Sequence, residues 1–241
     1  MTMLFFFLRH ADPDYEHDSL TPRGFRQAEA LAKRLAVYGL NEVYTSSLNR
    51  AVLTAKPTCE LLGLTPVLCD WAREDHPWRE LTVPREGGGI TWPFFTAKYN
   101  RLFNDPEVLA LGRNWADSPL FADTTFKQSY EHTQRDADEF FLSLGYRHDP
   151  ARGIYIPEKE NGKRVALFAH QGFGMIFLSC VLDIPFPLFS SHFDLSHSSM
   201  TVLEFSPNSE GVVIPKVLML SNDSHLYKEG LPTWYQNVIK I

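Results

Sequence analysis

Cysteine is scarce in this chain of 241 residues, with only Cys59, Cys69 and Cys180. None of the three forms a Cys-x-x-Cys pair and each lies in an apolar stretch, which excludes a disulfide-stapled scaffold and predicts reduced core thiols. A basic surplus is missing too: 23 Lys and Arg face 29 Asp and Glu, for a formal charge of −6. Binding to nucleic acid is dominated by neutralising its phosphates, so no nucleic-acid partner is expected. Long hydrophobic runs are also lacking. The only N-terminal one, Met3 to Leu8, is too short for a signal-peptide core and meets Arg9-His10 at once. No run approaches the roughly 20 residues that span a bilayer, so no membrane partner and a cytoplasmic location are expected.

What remains is an ordinary globular composition. Apolar residues make up 44% and charged residues 22%, enough to bury a core and too balanced for long disorder. The length suits one domain over 1–241 that carries an insertion.

The patterning is that of an α/β protein. Leu4 to Leu8 is a continuous apolar run of the kind buried on both faces of a parallel sheet. Thr21-Pro22 opens a helix with apolar positions at Ala28, Leu31, Ala32 and Leu35 and a stop at Gly39. A strand at Val43-Tyr44 follows, then a helix after Ser47 that closes at Gly63, then a short strand at Pro66 to Leu68. The Trp-, Pro- and Gly-rich stretch 70–118 breaks this rhythm and is expected to form a cap over the sheet, with Gly87-Gly88-Gly89 as a flexible loop. A long helix over 124–144 is predicted next, then a small hairpin over Gly153 to Ile156 with its turn near Asn161-Gly162. Val165 to Ala169 repeats the buried-strand pattern, Gly172 to Leu182 the helix after it, and 200–205 and 212–220 supply two late antiparallel strands. The fold expected is a three-layer αβα sandwich with a mainly parallel central sheet and an inserted cap.

In an open α/β sheet, ligands bind beyond the carboxyl ends of the strands. Two histidines stand there: His10 after the first buried run and His170 after Val165 to Ala169. An arginine, Arg9, adjoins the first. His192 and His197 read as surface or turn residues. No His or Cys spacing suits a metal, and no Gly-Lys-Ser/Thr follows the glycine triplet, so neither a metal nor a P-loop is expected. The aromatics Trp78, Trp92, Phe94 and Phe95 fit equally a substrate lid or the core.

Leu8-Arg9-His10-Ala11 with the downstream Leu20 to Ala28 resembles the histidine phosphatase superfamily, the phosphoglycerate mutase-like family. Further stretches are similar in the same order: Tyr44 to Ala51 with Thr54-Ala55, Trp71-Ala72-Arg73-Glu74, Ala166 to Gly172, and Asn222 to Leu226. Ala11 and Gln171 stand where the family usually has glycine, and the Glu-Ser/Thr run of mutase-like members is replaced by Asp12-Pro13-Asp14-Tyr15.

The resemblance implies a phosphomonoester hydrolase whose nucleophile is His10, forming a phosphohistidine. Phosphate-binding groups would be Arg9, Arg50, His170 and Gln171, with His170 protonated. Arginine forks match phosphate oxygens bidentately, which makes the types apt. Glu74 fits the family's acid best; Glu80, Glu86 and Asp12 remain alternatives. No cofactor is implied. The expected partner is a small phosphorylated molecule, and a homo-oligomer is compatible with the composition. Mutase-type phosphoryl transfer and a non-catalytic phosphate-binding protein stand as the alternative readings.

Overall fold

The computed structural model describes residues 1–233. The domain expected over 1–241 therefore extends into eight residues, 234–241, that lie outside the described ones. Six strands form the central sheet: β1 (Met3–Arg9), β2 (Glu42–Ser46), β3 (Val67–Cys69), β4 (Arg164–Ala169), β5 (Met200–Phe205) and β6 (Lys216–Asn222). Their order across the sheet is β6-β5-β1-β4-β2-β3. β1, β4, β2 and β3 are mutually parallel, whereas β5 runs antiparallel to β1 and β6 antiparallel to β5.

The apolar run of β1 is the centre of this arrangement because its alternate side chains serve two cores. Phe5 and Phe7 point into the larger one, shared with α4 (Phe126–Ser143) and α5 (Gln171–Val181) through Phe140, Phe141, Phe173 and Phe177. Phe6 and Leu8 point to the other face, against Leu31 and Leu35 of α1 (Pro22–Tyr38) and Ala55 and Cys59 of α2 (Asn49–Leu62). Phe5, Phe6 and Phe7 are each at most 1% exposed, and full burial of such a side chain is worth about 1.5–3 kcal/mol. Helices on both faces of a mostly parallel sheet make the three layers.

The helix punctuation follows the sequence. Thr21 accepts the Gly24 N–H at the start of α1, and Gly39 closes it in the left-handed region with its N–H on the Leu35 carbonyl. Residues 70–118 form α3 (Asp75–Leu81), a small ribbon of Val83–Pro84 with Ile90–Thr91, and short helices at Ala97–Phe103 and Pro106–Ala110. The glycine triplet is the turn of that ribbon, with φ of 89°, 102° and 78°, which only glycine adopts freely. Trp92, Phe94, Phe103 and Trp115 of this stretch are buried in the larger core.

Three elements differ from expectation, a hairpin and two short helices. The hairpin pairs Tyr146–Asp149 with Ile154–Pro157, so its turn is at 150–153 rather than at Asn161-Gly162. Asn161 is instead a pinned connector: its amide donates to the Leu144 carbonyl, and its side-chain oxygen accepts the Lys163 N–H. Two short helices, Phe186–His192 and Ser224–Lys228, lie where no helix was predicted.

Candidate active site

Parallel registration delivers the two histidines to one place. Arg9 of β1 is opposite Ala169 of β4, so His10 and His170 leave adjacent strands at the same level. Their ring centroids are 5.2 Å apart. Arg50 arrives from the first turn of α2, Glu74 stands immediately before α3, and Gln171 opens α5. Arg9, His10, Arg50, Glu74 and Gln171 line one cavity of about 480 Å³, walled further by Tyr15, Asp75, Trp78, Trp92 and Phe95. Glu80 and Asp12 do not line it. Glu80 meets His76 and Gln128, and Asp12 is held by Thr21 and Arg23. Glu86 lies on a neighbouring outer cavity.

The hydrogen bonds fix which ring nitrogen carries a proton. His10 Nδ1 is 2.7 Å from the Ala11 carbonyl, an acceptor only, so Nδ1 bears the hydrogen and Nε2 keeps its lone pair. That Nε2 is buried and without a hydrogen-bond partner. Burial, then the neighbouring His170, Arg9 and His197, push the pKa of His10 well below the usual histidine value, so the imidazole is neutral.

His170 follows a similar logic. Its Nε2 is 2.8 Å from Ser46 Oγ, which also accepts the Leu48 N–H and has its own proton to donate. With Ser46 as that donor, the ring hydrogen sits on Nδ1, which is buried, unpartnered and 3.9 Å from Glu74 Oε2. The expectation of a protonated His170 needs revision here: burial, followed by Arg50, Arg9 and Arg73, holds its pKa well below the ordinary value. A neutral ring still presents an N–H donor.

Arg50 donates from Nη1 to Asp18 at 2.7 Å and from Nη2 to Glu74 at 3.4 Å, leaving its buried Nε unpartnered. Glu74 also accepts the Gly172 N–H at 2.8 Å. Burial raises its pKa against the opposing pull of Arg50. Arg9 donates to the Leu195 carbonyl and, at 2.7 Å, to His197 Nε2; its Nε too is buried and unpartnered. Gln171 donates to Asp194, whose same oxygen accepts the Leu195 N–H, so it braces the loop that holds Arg9. Ala11 in place of glycine is accommodated because it is not among the residues with positive φ; its N–H donates to Thr54 Oγ1.

Several neighbours escaped the sequence reading. His197 is 6% exposed and not a surface residue, because β5 is antiparallel and the residues before it reach the carboxyl end of β1. Ser198 N–H donates to the His10 carbonyl there. Tyr15 sets its ring edge-on to His10 and beneath the Arg50 guanidinium at 5.4 Å. Among these only Tyr15, at the start of the turn that follows Pro13–Asp14, had any local signal.

His10, Glu74 and His170 offer ligand atoms within 4.8 Å of one another, a spacing that also suits a cation. The guanidinium groups of Arg9 and Arg50 beside them favour an anion instead.

Comparison with known proteins bears on the fold. Residues 5–82 match the family model of the histidine phosphatase superfamily, branch 1. Over that third of its length the chain is similar to the histidine phosphatase superfamily. The solved structures similar to this fold include mycobacterial glucosyl-3-phosphoglycerate phosphatase, at 19% identity and a TM-score of 0.57, with 92% of this chain and 99% of that one covered. Phosphoserine phosphatase from Entamoeba histolytica aligns at 17% identity and a TM-score of 0.55, covering 93% and 99%. The alpha-ribazole phosphatase from Shigella flexneri aligns at 16% and 0.54, covering 92% and 97%. No curated protein sequence matches the chain. At these identities the structural likeness is one of fold. No helix among the described residues is long and apolar enough to cross a membrane.

Proposed function

We propose that this chain is a member of the histidine phosphatase superfamily and a phosphomonoesterase acting through a phosphohistidine on His10. The observation that carries the reading is a set of four buried, unpartnered nitrogens on neighbouring residues: His10 Nε2, His170 Nδ1, Arg9 Nε and Arg50 Nε. One is a lone pair and three are donors, which is what an in-line attack on a phosphoryl group requires.

His10 Nε2 attacks phosphorus, forming the N–P bond as the bond to the ester oxygen breaks. Glu74, whose pKa burial raises, gives its proton to the departing oxygen. Water then attacks the phosphohistidine with Glu74 taking its proton, the N–P bond breaks, and inorganic phosphate leaves with His10 neutral again. Arg9, Arg50, the Nδ1–H of His170 and the amide of Gln171 hold the non-bridging oxygens. The leaving group occupies the part of the cavity walled by Trp78, Trp92 and Phe95, which suits a small organic phosphate with an apolar or planar face. Residues 70–118 act as the cap of a single domain, and the buried reduced thiols accord with a cytoplasmic location.

Rapid-quench labelling with a radiolabelled phosphomonoester tests this reading. An acid-labile, base-stable phosphoprotein is expected in the wild type and not in His10→Ala, together with inhibition by vanadate and turnover that survives EDTA. A fully active His10→Ala ends the mechanism, and phosphate binding without turnover on any phosphomonoester indicates a binding protein.

A further inference from the structure

A second cluster of ligating side chains lies away from the cavity, between α3 and α4. His76 comes from α3; His132 and Asp136 stand one turn apart on α4. Their ligand atoms lie within 4.8 Å of one another. His76 Nε2 and Asp136 Oδ2 are both buried and have no hydrogen-bond partner. The two imidazoles are stacked at a centroid distance of 4.0 Å, and His132 Nε2 is 3.6 Å from Asp136 Oδ2. Buried polar atoms left unpaired are costly, so two of them facing a third ligating group need a reason.

The geometry points to a binding site for a divalent transition metal ion of the zinc type, held by His76, His132 and Asp136. Two imidazoles and a carboxylate are a donor set such ions favour, with a fourth position left to water. His76 also shows the outer arrangement usual for a metal-bound imidazole: its Nδ1 faces Glu80 Oε2 at 3.4 Å, and Glu80 is itself fixed by Gln128 at 3.2 Å. Ligand atoms about 2.0–2.2 Å from one zinc ion sit roughly 3–3.5 Å apart, so the cluster must contract by about 1 Å. His132, with 37% of its side chain exposed and its ring held only by Asp136 and the stack, is the member free to turn inward. The charges facing the cluster are mixed: Arg79 and Asp75 bear on His76, Arg135 and Glu139 on Asp136. With Glu80 added, the carboxylates outnumber the guanidinium groups, which favours a dication. Bound there, the ion staples α3, whose start is preceded by Glu74, to the long helix of the body. It takes no part in the chemistry at His10.

Calorimetric titration of the purified, EDTA-treated full chain with Zn²⁺ tests the site, with thermal unfolding as a second readout. His10→Ala is the control that disables the other His-Glu-His cluster. It should still bind one equivalent and gain melting temperature, since a ligand that binds only the folded state stabilises it. His132→Ala and the volume-conserving Asp136→Asn should each weaken that binding at least ~10-fold, the usual order for loss of a metal-site group, and lose the thermal gain. Absence of the site in His10→Ala, or undiminished binding in both α4 variants, overturns the proposal.

Discussion

Replacing Glu74 by Gln separates proton transfer from positioning, because the two effects have different sizes and different substrate dependence. Gln keeps one contact, since its carbonyl oxygen still accepts the Gly172 N–H at 2.8 Å. Its amide group, however, turns donors toward Arg50 Nη2, which now sits 3.4 Å from Oε2. Losing a long charge-assisted contact costs about 1–2 kcal/mol, or roughly 10-fold in rate, whatever the leaving group. Proton donation is another matter: a positioned acid contributes about 10²–10⁴-fold, and only where the leaving oxygen is strongly basic. An activated aryl phosphate should therefore fall by about 10-fold and an alkyl phosphate by about 10³–10⁵-fold, the product of the two factors. The assay is kcat/KM for a series of esters graded by leaving-group basicity, whose slope should steepen in the variant. The wild type should also lose alkyl hydrolysis on the alkaline side at a pH above the ordinary carboxylate range, since burial raises Glu74 and only its protonated form donates. Equal losses on both esters would refute the role in proton transfer and leave Glu74 as a brace for Arg50. The same signature in Glu80→Gln would move the acid.

Arg50→Lys should fold, yet lose on the order of 10²-fold in kcat/KM, because an ammonium cannot reach Asp18, Glu74 and a phosphate oxygen at once; near-wild-type turnover would remove Arg50 from the site. His148→Gln addresses stability. Burial works against the charge of this histidine, but Asp138 and Asp183 outweigh it and raise its pKa to about 9. Its contribution is thus complete below its unfolded value near 6.5 and is lost as pH rises through about 9. Urea unfolding of the wild type should weaken over that window by on the order of 2–3 kcal/mol, and the variant should show no such slope; parallel curves would mean the two carboxylates do not hold a charged ring.

The residues legible in the sequence are those for which local pattern and topology coincide. A parallel strand announces its site residue simply by ending, so His10 and His170 could be singled out from the runs before them. Arg50 and Glu74 follow β2 and precede α3 and were reachable through motif similarity. His197 follows the opposite rule: it precedes an antiparallel strand, and the expected direction of 200–205 does not reveal that this strand pairs with β1 and so brings the residues before it beside His10. The hairpin was misread because an Asn-Gly pair is a strong turn signal in isolation, whereas Asn161 uses its side chain to tie Leu144 to Lys163. Its true turn is built on Gly153, at φ 67°. The His76–His132 stack was invisible because the two lie in separate elements brought together only by the packing of α3 on α4.

Trp92 bears directly on how far this scaffold can be re-engineered. A Cβ on Gly172 would lie 2.0 Å from the Trp92 ring, so the indole rests against the backbone at the start of α5, where Gly172 also holds Glu74. Roof and floor of the cavity therefore form one interlocking joint, not a module and its socket. Exchanging residues 70–118 for a loop from another protein of this fold means transplanting the ring together with the glycine beneath it. A graft bearing a smaller side chain there opens a void beside the Gly172–Glu74 contact, and one paired with a bulkier residue at 172 pushes the helix start away from the carboxylate. The shape of the cavity is thus tied to the Gly172–Glu74 contact, and the two cannot be tuned separately by exchanging residues 70–118.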